Sequence, residues 1–190
     1  MKLLLATDNR NGSAPLVEAA GACGWQVISP ADALERASLE VAAQRPDVLV
    51  VHADTVTSQV LQQLHKIQLQ TPLPVVLFTA DGAPDTIGKA IRAGVNAYVA
   101  ACSEPARIGP LLEIARARFA EIHAMRAELE ATRKLLAERK RVERAKGILM
   151  KRRKLEEDAA YHLLRKLAMD RNKRIGEIAD QIIDTANLLP

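Results

Sequence analysis

Aromatic side chains are scarce in this chain: Trp25, Phe78, Tyr98, Phe119 and Tyr161 are the only five in 190 residues. A sheet that reads single strands by stacking bases on aromatic rings is therefore excluded as the main mode of recognition. Cysteine is equally sparse. Cys23 and Cys102 stand far apart, with no CxxC and no histidine-rich spacing nearby, which argues against a zinc site and a disulfide framework. Both are expected to be reduced, small apolar core residues. No apolar run approaches the length of a bilayer span, and MKLLLATDNR holds only a short one, cut by Thr7 and Asp8. The expectation is a cytoplasmic protein without export signal or membrane contact. Phosphate loops and nucleophile elbows are missing, and DNRNGS lacks the glycine spacing of a dinucleotide fingerprint; Asn9 to Ser13 reads as a turn and helix start. These absences predict neither enzyme activity nor a cofactor nor a metal.

What the chain has is unevenly distributed charge. From Arg139 to Arg174 it carries fourteen lysines and arginines against five acids, a local net charge of +9 within a whole-chain charge of +4. A basic block laid over a helical apolar period neutralises phosphates from a folded surface, which makes nucleic acid the first partner to test. Apolar residues make up 48% of the chain, enough for a buried core.

Residues 1–104 alternate β-rich apolar runs (KLLLAT, WQVIS, DVLVVHA, PVVLFTA, AYVAAC) with helical segments (SAPLVEAAGACG, ADALERASLEVAAQ, TSQVLQQLHKIQ, PDTIGKAIRAG). Near-continuous apolar strands such as Val48 to Val51 are expected where helices cover both faces of a parallel sheet. The prediction is an α/β, doubly wound, five-stranded parallel domain of flavodoxin-like type.

After Glu104 no strand candidate recurs. Pro105 and Pro110 sit where a first helical turn tolerates proline, and no further proline or glycine follows until Gly147. A single helix of some forty residues is predicted. Ile108, Ala115, Ile122, Leu129 and Leu136 recur every seven residues, with Leu111, Met125 and Thr132 three later, so residues 105–138 read as a coiled-coil dimerisation helix. Arg118 and Arg139 also fall on the seam. An apolar stripe of this length, open to water, predicts a homodimer.

Residues 139–190 are read as a three-helix unit: the end of the long helix, a helix from Glu156 to Ala168, and one from about Lys173 to Asn187 capped by Asn172. The expected buried faces are Ala159, Leu163, Leu164, Leu167 and Ala168, then Ile175, Ile178, Ala179, Ile182 and Ile183.

Thr7, Asp8, His52, Asp54, Thr79 and Ala101 fall at strand carboxyl ends, where ligand sites gather in such folds. Over roughly the first hundred residues this arrangement resembles a response-regulator receiver, which binds Mg²⁺ with acids after its first strand and accepts a phosphoryl group on an aspartate ending its third. Asp8 and Thr79 fit that pattern. Thr7 stands in place of the second metal-binding acid, His52 in place of the phosphoacceptor and Ala101 in place of the lysine. One carboxylate without the lysine lacks the charges that phosphoryl transfer needs, and Asp54 lies roughly 6–7 Å further along the strand. The resemblance implies a degenerate phosphoacceptor pocket in a pseudo-receiver used for protein contacts. The alternative is a phosphorylation-dependent response regulator acting on RNA or DNA.

Ala145, Lys146, Gly147, Leu149 and Met150, followed by Ala160, Tyr161, Leu164, Ala168 and Met169, resemble the ANTAR RNA-binding domain. That domain often has glycine and serine in the turn where this chain has Lys154 and Glu156. With the coiled coil and altered receiver, the chain resembles the amide- and nitrate-responsive antiterminators of the AmiR and NasT kind. The resemblance implies binding to paired leader-RNA hairpins that prevents transcription termination, under a ligand-sensing partner protein, with nitrate or nitrite assimilation ahead of amide use as the pathway. Arg141, Arg144, Lys146, Lys151, Arg152, Arg165, Lys166, Lys173 and Arg174 are the candidate phosphate contacts, and Tyr161 is either a base-stacking residue or core. Gly147 is expected to admit a neighbouring helix or the RNA backbone. A duplex-DNA binder is the third reading, disfavoured by the absence of a helix-turn-helix turn.

Overall fold

A computed structural model describes residues 1–7, 10–31, 34–100 and 107–188, the side chains of 10–13, 29–31, 35 and 188 excepted. Asp8, Ala101 and Cys102 lie outside the described residues. Contacts divide the chain into two units, Met1–His123 and Ala124–Pro190.

The first unit runs β1 (Lys2–Thr7), α1 (Arg10–Ala22), β2 (Gln26–Ala31), α2 (Leu34–Gln44), β3 (Val48–His52), α3 (Ser58–Gln70), β4 (Val75–Thr79), α4 (Pro84–Arg92) and β5 (Ala97–Ala100), followed by the start of α5 (Ile108–Arg153). All paired strands are parallel, in the order β2-β1-β3-β4-β5. The period of two sorts each strand's side chains to opposite faces. Leu4, Leu49, Val51, Val75 and Leu77 join Leu64 and Ile67 of α3 and Ala90 of α4 in one core. Leu3, Leu5, Val48, Val50, Val76 and Phe78 join Leu16 of α1 in the other, together with Ile108, Leu112 and Ala115 of α5. Both faces are covered, which is why Val48 to Val51 reads as one apolar run.

Local chemistry fixes the connections. Thr57 caps α3, its hydroxyl accepting the Val60 N–H at 3.3 Å. Gly94, at φ 104°, is required after α4, since a Cβ there would lie 2.6 Å from Cγ of Gln68, whose amide donates to the carbonyls of Leu73 and Gly94.

Two expectations about this unit are corrected. The α/β unit does not end at 104. Ile108, Leu112 and Ala115 are buried in its second core, so the first heptads of the supposed 105–138 seam pack on the sheet instead of a partner. Cys23 is exposed rather than core, because it falls in the turn just after α1.

The second unit comprises the end of α5, α6 (Glu157–Asp170) and α7 (Ile175–Leu188). Helix α5 is 46 residues long and continuous. Val142, Ala145 and Leu149 of α5 meet Ala160, Leu164 and Ala168 of α6 and Ile178, Ala179 and Ile183 of α7 in a third core. On α6 it is Ala160 that is buried and Ala159 that is exposed, a shift of one residue from expectation. Asn172 is not the N-cap of α7. It takes φ 50° after α6, with Lys173 N–H returning to the Ala168 carbonyl at 2.9 Å, a left-handed helix stop that asparagine tolerates. Arg174 instead stands immediately before α7, and its N–H donates to the Glu177 carboxylate at 2.8 Å, as one half of a capping box.

Candidate nucleic-acid interface

The strand-end pocket of the first unit holds a polar cluster already engaged within the protein. Thr7 and His52 face each other across the β1–β3 register, Oγ1 to Nδ1 at 3.4 Å. The buried Thr79 hydroxyl donates to the Asp54 carbonyl at 3.3 Å and accepts the Asp81 N–H at 3.2 Å. Asp54 is exposed, two residues beyond the end of β3. Tyr98 points back to this loop and donates to the Asp81 carbonyl at 2.7 Å; burial is the main cause that raises its hydroxyl pKa. Among the described residues no group of three or more His, Cys, Asp or Glu is placed to hold a metal ion.

The second unit arranges its cations by helical geometry. Because Val142, Ala145 and Leu149 face the core, a turn of about 100° per residue sends Lys140, Arg144, Gly147 and Lys151 to the opposite side of α5. The three charged members are exposed, and nothing lies within 4 Å of the position a Gly147 Cβ would take. Gly147 therefore serves no packing contact within the protein, although glycine in a helix interior costs about 1 kcal/mol. Arg144 keeps a long contact to the Asn187 side-chain oxygen at 3.4 Å.

Arg141 and Arg152 lie on the flank of α5 that meets α7. Arg141 pairs with Asp180 at 2.7 Å and Arg152 donates to the Ala186 carbonyl at 3.0 Å. Arg165 and Lys166 are exposed on α6, and Lys173 and Arg174 are exposed at the start of α7. Tyr161 is also exposed rather than core, four residues from Arg165 and on the same side of α6.

Lys146 departs from expectation. Its side chain is only 9% exposed, and its ammonium lies 2.9 Å from Glu143 and 2.7 Å from Glu157. The hydrogen bond to Glu157, then that to Glu143, raises its pKa; the same bond lowers that of the Glu157 carboxyl. A lysine bridging two carboxylates joins α5 to α6 and has no surface to offer a phosphate. Outside the set singled out from the sequence, Lys140, seven residues before Gly147, is exposed, as are Arg153 and Arg171, which line one groove where three helices meet.

Residues 130–183 match the family model described as the ANTAR domain. The C-terminal unit is an ANTAR domain. The chain is also similar to the nitrate regulatory protein of Klebsiella oxytoca, 37% identical over 73 residues, which are 38% of this chain and 18% of that protein. Along nearly its whole length the chain is similar to the transcriptional regulatory protein PdtaR of Mycobacterium tuberculosis, 27% identical over 97% of this chain and 90% of that protein. The unit preceding the ANTAR domain has the receiver fold. It superposes on the signal receiver domain of a modulated diguanylate cyclase from Desulfovibrio desulfuricans with a TM-score of 0.55, at 20% identity over 63% of this chain and 95% of that one. A LuxR-family DNA-binding response regulator from Staphylococcus aureus gives 0.54, at 18% identity over 60% and 98%.

Proposed function

We propose that the protein is an RNA-binding regulator of transcription, acting by antitermination rather than as an enzyme. The observation that carries this reading is the open cationic stripe of Lys140, Arg144 and Lys151 around an unpacked Gly147, on a domain of the ANTAR family. Arg165 and Lys166 of α6 and Lys173 and Arg174 at the start of α7 extend the basic surface. The ligand is a pair of leader-transcript hairpins, gripped mainly by phosphate contacts, whose binding prevents the terminator from forming.

Ile122, Met125, Leu129 and Leu136 keep the seven-residue period and are exposed on α5, which supports a homodimer joined along that helix. Two ANTAR domains held together gain affinity for two hairpins through effective concentration alone. The receiver-like unit is the surface for a ligand-sensing partner, and the pathway is nitrate or nitrite assimilation, the relative in Klebsiella oxytoca being a nitrate regulatory protein. Histidine and threonine at the strand ends, with Ala101 in place of a lysine, support control by that partner instead of by phosphorylation. Intact mass after incubation with Mg²⁺ and a small phosphodonor is expected to show no adduct; a labile adduct on Asp54 or His52 would refute that part.

The decisive test is filter binding to a tandem-hairpin RNA and to duplex DNA of equal charge. Reversing the charge at Arg144, Lys151 and Arg165 together is expected to abolish RNA affinity and flatten its salt dependence. Unchanged affinity in that variant would sink the proposal.

A further inference from the structure

Where α5, α6 and α7 meet within the second unit, the core is left open as a groove of about 350 Å³. That size lies in the range of small-molecule sites, roughly 300–1,000 Å³. Ile148 of α5, Leu167 of α6 and Ile182 of α7, all partly buried, form its apolar walls, with Ile178 at its base. Arg152, Arg153 and Arg171 line it as well, and no acid does so among the described residues. Two of these guanidiniums are held in place. Arg171 donates to the Gln181 side-chain oxygen at 3.0 Å, a neutral acceptor that orients it without cancelling its charge, and Arg152 is bound to the Ala186 carbonyl.

The occupant must have an apolar flat body and a negative edge. An apolar peptide does not match three arginines, and duplex phosphate has no use for an isoleucine-lined cavity. An unstacked nucleotide matches both: the base enters between aliphatic walls and guanidinium planes, and the flanking phosphates meet the arginines. This domain also needs such a device, because Tyr161 is its only aromatic residue. We infer that the groove between α5, α6 and α7 receives one splayed base of a hairpin loop, so that the domain distinguishes a structured loop from a bare stem. This inference rests on the RNA-binding reading and adds a base-reading subsite to it.

The test compares two hairpins of identical stem and loop length, one with its loop bases and one with every loop nucleotide abasic, against the full-length protein. The loop carrying bases is expected to bind about tenfold or more tightly, the scale of a stacked base. In Arg153→Gln/Arg171→Gln, both exposed changes, that ratio falls toward one. Lys140→Gln, on the opposite side of α5, weakens both hairpins alike and preserves the ratio. Equal binding of the two hairpins by the unaltered protein would overturn the subsite and leave RNA binding standing; binding to neither would overturn both. A double variant that keeps the ratio but changes sedimentation would show the groove to be a contact between copies of the chain, which also overturns the inference.

Discussion

The turn between α5 and α6 offers a calculable perturbation. Helix α5 stops at Arg153 and the next residue, Lys154, takes φ 51°, a left-handed conformation that crowds any Cβ. That strain is worth roughly 1–2 kcal/mol for a residue other than glycine. Lys154→Gly relieves it, while the freer unfolded chain takes back about 0.4–1 kcal/mol, for a net gain of about 1 kcal/mol. Glu156 then caps α6 without a side-chain hydrogen bond. Glu156→Ser supplies one, worth typically about 1 kcal/mol, less a few tenths for the carboxylate removed from the helix N-terminus. Glu157 and Asp158 remain there to satisfy the dipole. The assay is native-state hydrogen exchange on the full-length protein, reading the α6 amides such as Ala160, whose N–H bonds the Glu156 carbonyl at 2.9 Å. A gain of 1 kcal/mol slows exchange through opening of this unit about fivefold. The sheet amides of the first unit should not respond. If Lys154→Gly leaves α6 exchange unchanged or speeds it, Lys154 is not a strained helix stop and the reasoning fails. The two residues are close enough to couple, so the double variant is measured as a cycle.

Three other outcomes are expected. Leu164→Ala deletes a fully buried side chain of the third core and costs about 2–5 kcal/mol, a large share of the roughly 3–10 kcal/mol that a unit of this size holds; α6 and α7 amides should lose protection while β1, β3 and β4 keep theirs. The Lys146–Glu157 bond sets a pH dependence. Glu157's lowered pKa gives stability that is present above the usual glutamate value of 4.5 and lost as pH falls through the lowered one. The raised Lys146 pKa gives stability complete below 10.5 and lost only at more alkaline pH, so Glu157→Gln should lower stability slightly at neutral pH, where both charges are present, and meet the unaltered protein at acid pH, which flattens the acid limb of an unfolding-against-pH profile. Leu129→Glu with Leu136→Glu should convert a dimer into monomer in sedimentation equilibrium and reduce affinity for tandem hairpins more than for a single one; a monomeric starting protein would refute the dimer.

The sequence carried the architecture wherever a period was long and unambiguous. Five apolar runs and their helical spacers gave the parallel sheet, and the absence of proline and glycine from 111 to 146 gave one uninterrupted α5. It misassigned residues whose period served two masters. Ile108 and Ala115 satisfy a heptad and a receiver's last helix equally well, and only the sheet's open face, needing a cover over Phe78 and Val76, decided for the latter. Asn172 is a favoured residue both for an N-cap and for a left-handed stop, and the hydrogen bond from Lys173 to Ala168 chose the stop.

The same division runs through the candidate interface. The order of residues by itself determined that the positive charge is concentrated between Arg139 and Arg174, because a local net charge needs no geometry. Which of those cations face outward was a tertiary matter. Lys146 sits one residue from Ala145 on the core side, so packing of α6 turned it into a bridge between carboxylates, while Arg144 and Lys151 were left to solvent. The arginine-lined groove belongs wholly to the fold: Arg153, Arg171 and Ile182 are distant in sequence, and only the convergence of three helices makes them neighbours.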